Sequence, residues 1–498
     1  MTKTIYAILL ALTVLLVFSC RKEKFNTSSD FQLEFSRDTV LFDTVFTAIG
    51  SATQVFKVYN PDKNNSVEID YFSLKEGSSS KFRMNVDGEA GIRIENITIA
   101  PEDSAFVFVE VTLDANDQSL PFILEEDLLV NANGAEQEVT LLAWGQNAIF
   151  HGNLDSEVII CDEVWTSELP HVVFGIITVD EGCCLTLQPG TQVHCHSGSG
   201  IFVEGCIESN GQRGNEVVFQ GDRLGLDWEG VPGQWGIELD FVADLGIGPE
   251  IVTITRGGIW LYEADASYMD YTIIKNGIIG LQIDTTGAGS QPVMELRNCI
   301  IQNHSAIGVL GQGATITGYN DLFANCGQST AAFQYGGEYI FDHSTFANYW
   351  SEGTRQAPSF FLNNYYETTV NGFDELIVRS LGDSRFRNCA FYGDNANLTD
   401  YSEFIVDVEM PEMENYFFQN CLVDSEQDLS DEVKFISLIN QQNASFVDPT
   451  FGNFRPTLNS PLREAAIPLG GALGEDLAGV SRFGGVPPDI GCLQYVPE

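Results

Sequence analysis

The sequence predicts an all-β chain in two parts, an antiparallel β-sandwich followed by a parallel β-helix. Two observations predict it. Between Asp270 and Asn348 the chain repeats one short phrase four times: Asp270-Tyr271-Thr272-Ile273-Ile274-Lys275-Asn276, Arg297-Asn298-Cys299-Ile300-Ile301-Gln302-Asn303, Tyr319-Asn320-Asp321-Leu322-Phe323-Ala324-Asn325 and Asp342-His343-Ser344-Thr345-Phe346-Ala347-Asn348. The closing asparagines stand 27, 22 and 23 residues apart, with no helical periodicity between them. That is the mark of a solenoid whose turns are made of short strands. Earlier, residues 31–148 alternate apolar and polar positions between turn clusters, which reads as an antiparallel sandwich.

The chain begins with a targeting segment. Lys3 supplies a positive start, Ile5 to Phe18 is apolar except for Thr13, and Val17-Phe18-Ser19-Cys20 ends the run. About 14 apolar residues is short for a membrane span, which needs roughly 20, but suits a secretory signal. The last four residues resemble the lipobox of bacterial lipoproteins, although Phe18 stands where a small residue is usual. The resemblance implies a signal peptide over 1–19, lipidation at Cys20 and a tether over 20–30. Arg21 after the cysteine, rather than an Asp, implies an outer-membrane anchor, facing the periplasm or the outside. An ordinary cleaved signal peptide is the alternative.

In the sandwich, Val67, Ile69 and Tyr71 alternate with Glu68 and Asp70, while Val107, Val109, Val111 and Leu113 share one strand face. Val139 to Trp144 reads as the last strand. Phe56-Lys57-Val58-Tyr59-Asn60-Pro61 and Leu141-Leu142-Ala143-Trp144-Gly145 make this region resemble the immunoglobulin-like domains of bacterial surface proteins. The resemblance implies a spacer, or sometimes a binder.

The β-helix is expected over 149–445. Val164-Trp165-Thr166, Cys184-Leu185-Thr186-Leu187-Gln188-Pro189-Gly190 and Gly200-Ile201-Phe202-Val203-Glu204-Gly205-Cys206-Ile207 resemble the opening coils of right-handed parallel β-helix proteins. Pro189-Gly190 turns a corner, since Pro fixes φ and Gly accepts positive φ. About 11–13 turns are expected, with Ile273 and Ile300 inside the coil. Cys299, Cys326, Cys389 and Cys421 each follow an Asn at turn-like intervals and read as stacked, buried thiols. Cys161, Cys183 and Cys195 are candidates for pairing in an exported chain. The acidic stretches 394–415 and 424–440 read as looped or partly helical. Phe446-Val447-Asp448-Pro449, Asn459-Ser460-Pro461-Leu462 and Pro488-Asp489-Ile490-Gly491-Cys492 resemble the C-terminal segment of secreted β-helix proteins. That implies a cap, 446–498, over the open edge of the last turn.

Charge excludes several partners. Lys plus Arg number 24 against 70 acids, a formal charge of −46, and removing Lys3 with the signal makes it −47. Nucleic acid, anionic membrane surfaces and polyanionic glycans all require clustered cations. A membrane would be reached only through the lipid. Lyases of the fold that the chain resembles need a basic residue beside the sugar, yet beyond Lys81 the lysines are Lys275 and Lys434. The Asp-Asp, Gly-His-Gly and Arg-x-Lys elements of polygalacturonase-type hydrolases are missing.

His194-Cys195-His196 offers two histidines on one side of a strand, a Zn²⁺ or Cu²⁺ pair if a neighbouring turn adds a ligand, or two solvent-side histidines otherwise. Asp222, Asp227, Glu229 and Asp240 are either an oxygen-rich Ca²⁺ site or a solvated loop. No cofactor is expected, with Ca²⁺ the ion to be considered first. Trp228, with Asp227 and Glu229 beside it, offers an indole for sugar stacking and carboxylates for hydroxyls. Trp235 is expected to start the next turn and be buried. The chain is therefore expected to be a lipid-anchored envelope protein acting as a non-catalytic binding or adhesion scaffold, for neutral glycan or a protein partner. A polysaccharide-cleaving enzyme is the alternative.

Overall fold

The computed structural model describes residues 24–47, 50–51, 53–114, 122–152, 157–225, 228–244, 249–284, 293–370, 373–394, 402–410, 414–470, 474–483 and 486–497. Residues 1–19, expected to be a signal peptide, lie outside them, as do Cys20 and Asp227. Among the described residues the regular elements are strands and short 3-10 turns, with no α-helix. Two units result, Met1–Asn147 with Leu224–Leu226, and Ala148–Arg223 with Asp227–Glu498.

The first unit is an immunoglobulin-like pair of five-stranded sheets. Ser104–Val111 lies at the centre of one sheet, and its alternation puts Val107, Val109 and Val111 in the core at no exposure. Ala135–Gln146 is longer than the strand expected, because it pairs along its length with Phe122–Ala132 and, in parallel, with Thr39–Phe46. Val67 and Ile69 are buried as the alternation predicts, but Tyr71 is not. A register shift between Ile69 and Tyr71 turns the phenol outward, and Phe72 takes the core position. The ring then lies under the Arg93 guanidinium at 3.8 Å, with its hydroxyl bonded to Glu136 at 2.6 Å.

The second unit is a parallel β-helix with three faces. The first face has eleven strands, from Ile149–Gly152 to Ile439–Asn440; the second has nine, from Val158–Ile160 to Phe404–Asp407; the third has ten, from Glu163–Trp165 to Phe435–Ile436. Neighbouring strands within them pair in parallel, with a register shift between Leu381 and Asp383 on the third face; Ile274, Ile301, Phe323, Phe346 and Phe391, for example, follow one another up the first face. All five are fully buried. The interior changes along the axis. Early turns are filled by Val, Ile and Leu, whereas later ones carry stacked rings: Phe323, Phe346 and Phe391 at 4.7 and 4.9 Å, and Phe386 on Phe418 at 4.6 Å.

Asparagine sets the corners. Where the third face meets the first, Tyr271, Asn298, Asn320, His343, Asn388, Asn420 and Ser437 are in register and all have positive φ, from 39° to 58°. Where the first face ends, Asn276, Asn303 and Asn325 do the same at φ 54–65°, with Asn348 in line as the end of its strand. Among residues other than Gly, a left-handed conformation costs least in Asn, whose amide also bonds the neighbouring turn. Asn303 donates to the Asn276 Oδ1 at 2.8 Å and Asn320 to the Asn298 Oδ1 at 3.2 Å. The four phrase-closing asparagines thus stand in one file. Gly190, at φ 82°, makes the predicted corner; an added Cβ would lie 2.4 Å from the Asn215 Oδ1.

Several expectations are corrected. Ile273 and Ile300 are half-buried on the outside of the first face, and Ile274 and Ile301 are the interior residues. The left-handed corner advances the inside–outside alternation by one place, and Thr272 and Cys299 take the first interior position. The acidic stretches are looped over 424–434, as expected, but hold the strands Phe404–Asp407, Glu414–Gln419 and Phe435–Ile436 where helix was the alternative. The segment from 446 onward runs along the outside of the first face. Phe446, Phe454, Leu462, Ile490 and Cys492 cover Leu322, Ala324, Ala347, Ala390 and Leu422. Such a strap satisfies an apolar outer face. Leu429, Phe435 and Leu438 pack onto the interior near the last turn instead.

Cys161–Cys183 and Cys184–Cys206 are disulfides, each spanning 22 residues and joining successive turns. Cys195 is a free, buried interior residue, as are Cys299, Cys326, Cys389 and Cys421.

Candidate functional site

A groove lies at the corner where the first face ends. Its floor is the file of Asn276, Gln302, Asn303 and Asn325, with Lys275 beside them, and its volume is ≈ 330 Å³. Three separate segments wall it: Glu229 and Gly230, Tyr349 to Glu352, and Thr450 to Gly452.

The first wall is a loop inserted between the strands Val217–Gly221 and Ile259–Tyr262, and it continues into an antiparallel hairpin, Glu238–Asp244 with Pro249–Thr255. Trp235 anchors it, fully buried, donating its indole N–H to the Lys275 carbonyl at 2.9 Å. Gln234 closes the loop by donating to the carbonyls of Trp228 and Val231, and Asn303 reaches the Gly230 carbonyl at 2.6 Å.

The second wall follows Asn348. Tyr349 N–H donates to the Asn325 side chain at 3.0 Å, and its ring packs among Tyr392, Phe446 and Phe454. Burial pushes the Tyr349 hydroxyl above its ordinary pKa, so it stays protonated. Behind Trp350 the loop is pinned by a buried ion pair. Arg355 bonds Glu403 and the Ala357 carbonyl, while Glu403 accepts from Ser359 N–H at 2.8 Å. An ion pair so enclosed defines a position more than it adds stability.

The third wall belongs to the strap. Asn325 donates to the Pro449 carbonyl, and Gly452 at φ 79° turns the chain back, leaving Phe451 86% exposed on the rim. Beneath the floor, His304 is buried. Its Nδ1 accepts from Gly277 N–H and its Nε2 donates to the Ile274 carbonyl, both at 3.2 Å. Burial lowers its pKa from 6.5 to about 4, so it is neutral near pH 7.

The arrangement is a mostly neutral cleft. Its amides each donate and accept, its rim has aromatic side chains, and it carries one lysine with the carboxylates of Glu229 and Glu352. Of the residues picked from sequence, Glu229 lines the groove. Trp228 does not; it is half-buried, and the Arg223 guanidinium lies 4.5 Å from its ring. Asp222 accepts from His196 at 2.6 Å and Asp240 from Thr253 at 2.6 Å, so these acids are not gathered for Ca²⁺. His194 bonds the Gly221 carbonyl instead of a metal partner of His196. Among the described residues one trio has metal-ligand proximity, Cys184, Cys206 and Glu208, and its two sulfurs are joined as a disulfide. Trp350 and Phe451 were not singled out in the sequence. The available signal was Tyr349-Trp350-Ser351-Glu352-Gly353, an aromatic pair running into a turn directly after a closing asparagine.

No protein-family model and no curated protein matches this chain. Among solved structures, XylC in complex with xylose matches over 96% of this chain and 91% of that one, at 9% identity and a TM-score of 0.32. The catalytic unit of a GH87 α-1,3-glucanase from Streptomyces thermodiastaticus matches over 78% and 89%, at 9% identity and a TM-score of 0.22. A PapD-like domain of human CEP192 matches over 26% and 94%, at 9% identity and a TM-score of 0.17. Similarity this low says nothing about activity, and the fold assignment rests on the sheets themselves.

Proposed function

We propose that this is a lipid-anchored envelope protein whose β-helix holds a neutral glycan in the groove between Glu229 and Trp350. The observation that carries the reading is the groove's composition. Amides match sugar hydroxyls as donors or acceptors, Asn303 through its Oδ1 since both its hydrogens go to Asn276 and Gly230, and Trp350 and Phe451 offer apolar faces of the kind that pack on sugar rings. A volume of ≈ 330 Å³ sits at the small end of ligand clefts, which span about 300–1,000 Å³. The −46 charge disfavours an anionic polymer. Export and the anchor at Cys20 are supported by the lipobox-like segment and by two disulfides, which persist in oxidising compartments.

A second reading is favoured by one feature: Glu229 and Glu352 line the same cleft, and paired carboxylates are the working parts of most glycoside hydrolases. The test is to incubate the purified chain with a panel of neutral and acidic oligosaccharides, scoring retention and new reducing ends. Retention of a neutral member without cleavage is expected. Cleavage with turnover would replace the first reading by the second, and no retention of any glycan would overturn both.

A further inference from the structure

We propose that Cys389 and Cys421 form a third inter-turn disulfide, locking the late turns of the β-helix as the two known bridges lock the early ones. Arg387 opposes Gln419 and Ala390 opposes Leu422, which puts Cys389 directly opposite Cys421 on the next turn. In-register residues on paired strands lie about 4.8 Å apart, inside the Cα separations of roughly 4.4–6.8 Å that disulfides span. Cys184 and Cys206 have the same relation, opposite each other on successive turns, and they are bonded with Cα atoms 4.5 Å apart.

The side chains of Cys389 and Cys421 are also neighbours across the two turns. Both are fully buried, and the Cys421 thiol lies against the Phe386 carbonyl, on the turn that carries Cys389. The two thiols are within hydrogen-bonding reach of one another. None of the other cysteines at this corner has such a neighbour. The interior file reads Thr272, Cys299, Asp321, Ser344, Cys389 and Cys421, so Cys299 stands between a threonine and an aspartate.

Formation is a two-electron oxidation. The two thiols lose two protons and two electrons and the S–S bond forms, while a disulfide oxidant such as oxidised glutathione is cleaved to two thiols. Because both sulfurs are enclosed, the exchange belongs to folding, before the late turns close.

The test uses the full chain, reduced, unfolded and refolded in a glutathione redox buffer, then alkylated in denaturant and mapped by mass spectrometry without reduction. The expected result is a peptide linked through Cys389 and Cys421, recovered with the Cys161–Cys183 and Cys184–Cys206 links. Serine fits this file, as Ser344 shows, so Cys389→Ser/Cys421→Ser should fold, lose the third link alone and melt several degrees lower than the oxidised parent. Two alkylated thiols in a chain whose early bridges have both re-formed would overturn the proposal. So would equal melting of parent and double variant after oxidation.

Discussion

Two files of corner asparagines run along the β-helix, built by the same rule and put to different use. At the corner entering the first face, the amides are roofed. Asn320 donates to the Glu475 carbonyl and accepts from Arg482, Asn388 exchanges two bonds with Ile467, and Asn420 donates to the Ala465 carbonyl. At the corner leaving that face, Asn303 bonds Asn276 and the Gly230 carbonyl and Asn325 bonds the Pro449 carbonyl, but their file is the floor of an open cleft. The difference teaches that the left-handed corner residue is a structural requirement. What covers it decides whether the amide's remaining hydrogen-bonding capacity holds the molecule together or faces a ligand.

The comparison can be sharpened from its largest expected effect downward. Ile274→Asp, beneath the open file, places a charge among fully buried side chains and should cost several kcal/mol, comparable to the whole stability of a domain. Ile273→Asp, one residue away on the outer surface, should cost under about 1 kcal/mol. Urea melts of the two variants that coincide would show that the inside–outside assignment is wrong. In the roofed file, Asn388→Ala strands the Ile467 N–H and carbonyl and the His343 Nε2, and should cost about 3 kcal/mol. A loss below about 0.5 kcal/mol would mean that the strap is held by its apolar contacts alone.

Acid offers a third way in. Burial depresses the pKa of His304, under the groove, from 6.5 to about 4, and burial with nearby Arg482 depresses that of His343, in the roofed file, well below its ordinary value. Both fold as neutral rings while the unfolded chain takes up protons near pH 6.5. The contribution of each is therefore fully present above pH 6.5 and falls as the pH drops below it, that of His304 being lost towards pH 4. For His304 the loss at pH 4.5 is about 2.5 kcal/mol. His304→Gln should reduce the fall in urea midpoint between pH 7 and pH 4.5, and an unchanged fall would remove this residue from the account. The open file should show a modest stability effect beside a clear binding effect: Asn303→Ala should cost about 1 kcal/mol while weakening glycan retention severalfold.

Much of this was legible because corners leave chemical marks. Asn at a left-handed position, and apolar pairs at turn spacing, announced the coil and its asparagine file. The choice between Ile273 and Ile274 was not legible. Both positions are apolar, one because it is interior and the other because it sits on a face of which the later turns are roofed by the strap. The strap's apolar residues were visible, yet nothing in them says which surface they cover. Trp350 and Phe451 were hidden for a related reason: the groove joins segments more than a hundred residues apart, and only the in-register stacking of turns brings them to one place. Trp228 misled because its own loop gives its ring an arginine neighbour.

The most direct test of the central claim is the affinity of Trp350→Ala for whichever neutral glycan the parent retains, read by calorimetry alongside a urea melt. The account predicts at least tenfold weaker binding with a melt within about 1 kcal/mol of the parent, since the ring stands on the groove wall and not in the core. Unchanged affinity in a folded Trp350→Ala chain would contradict it.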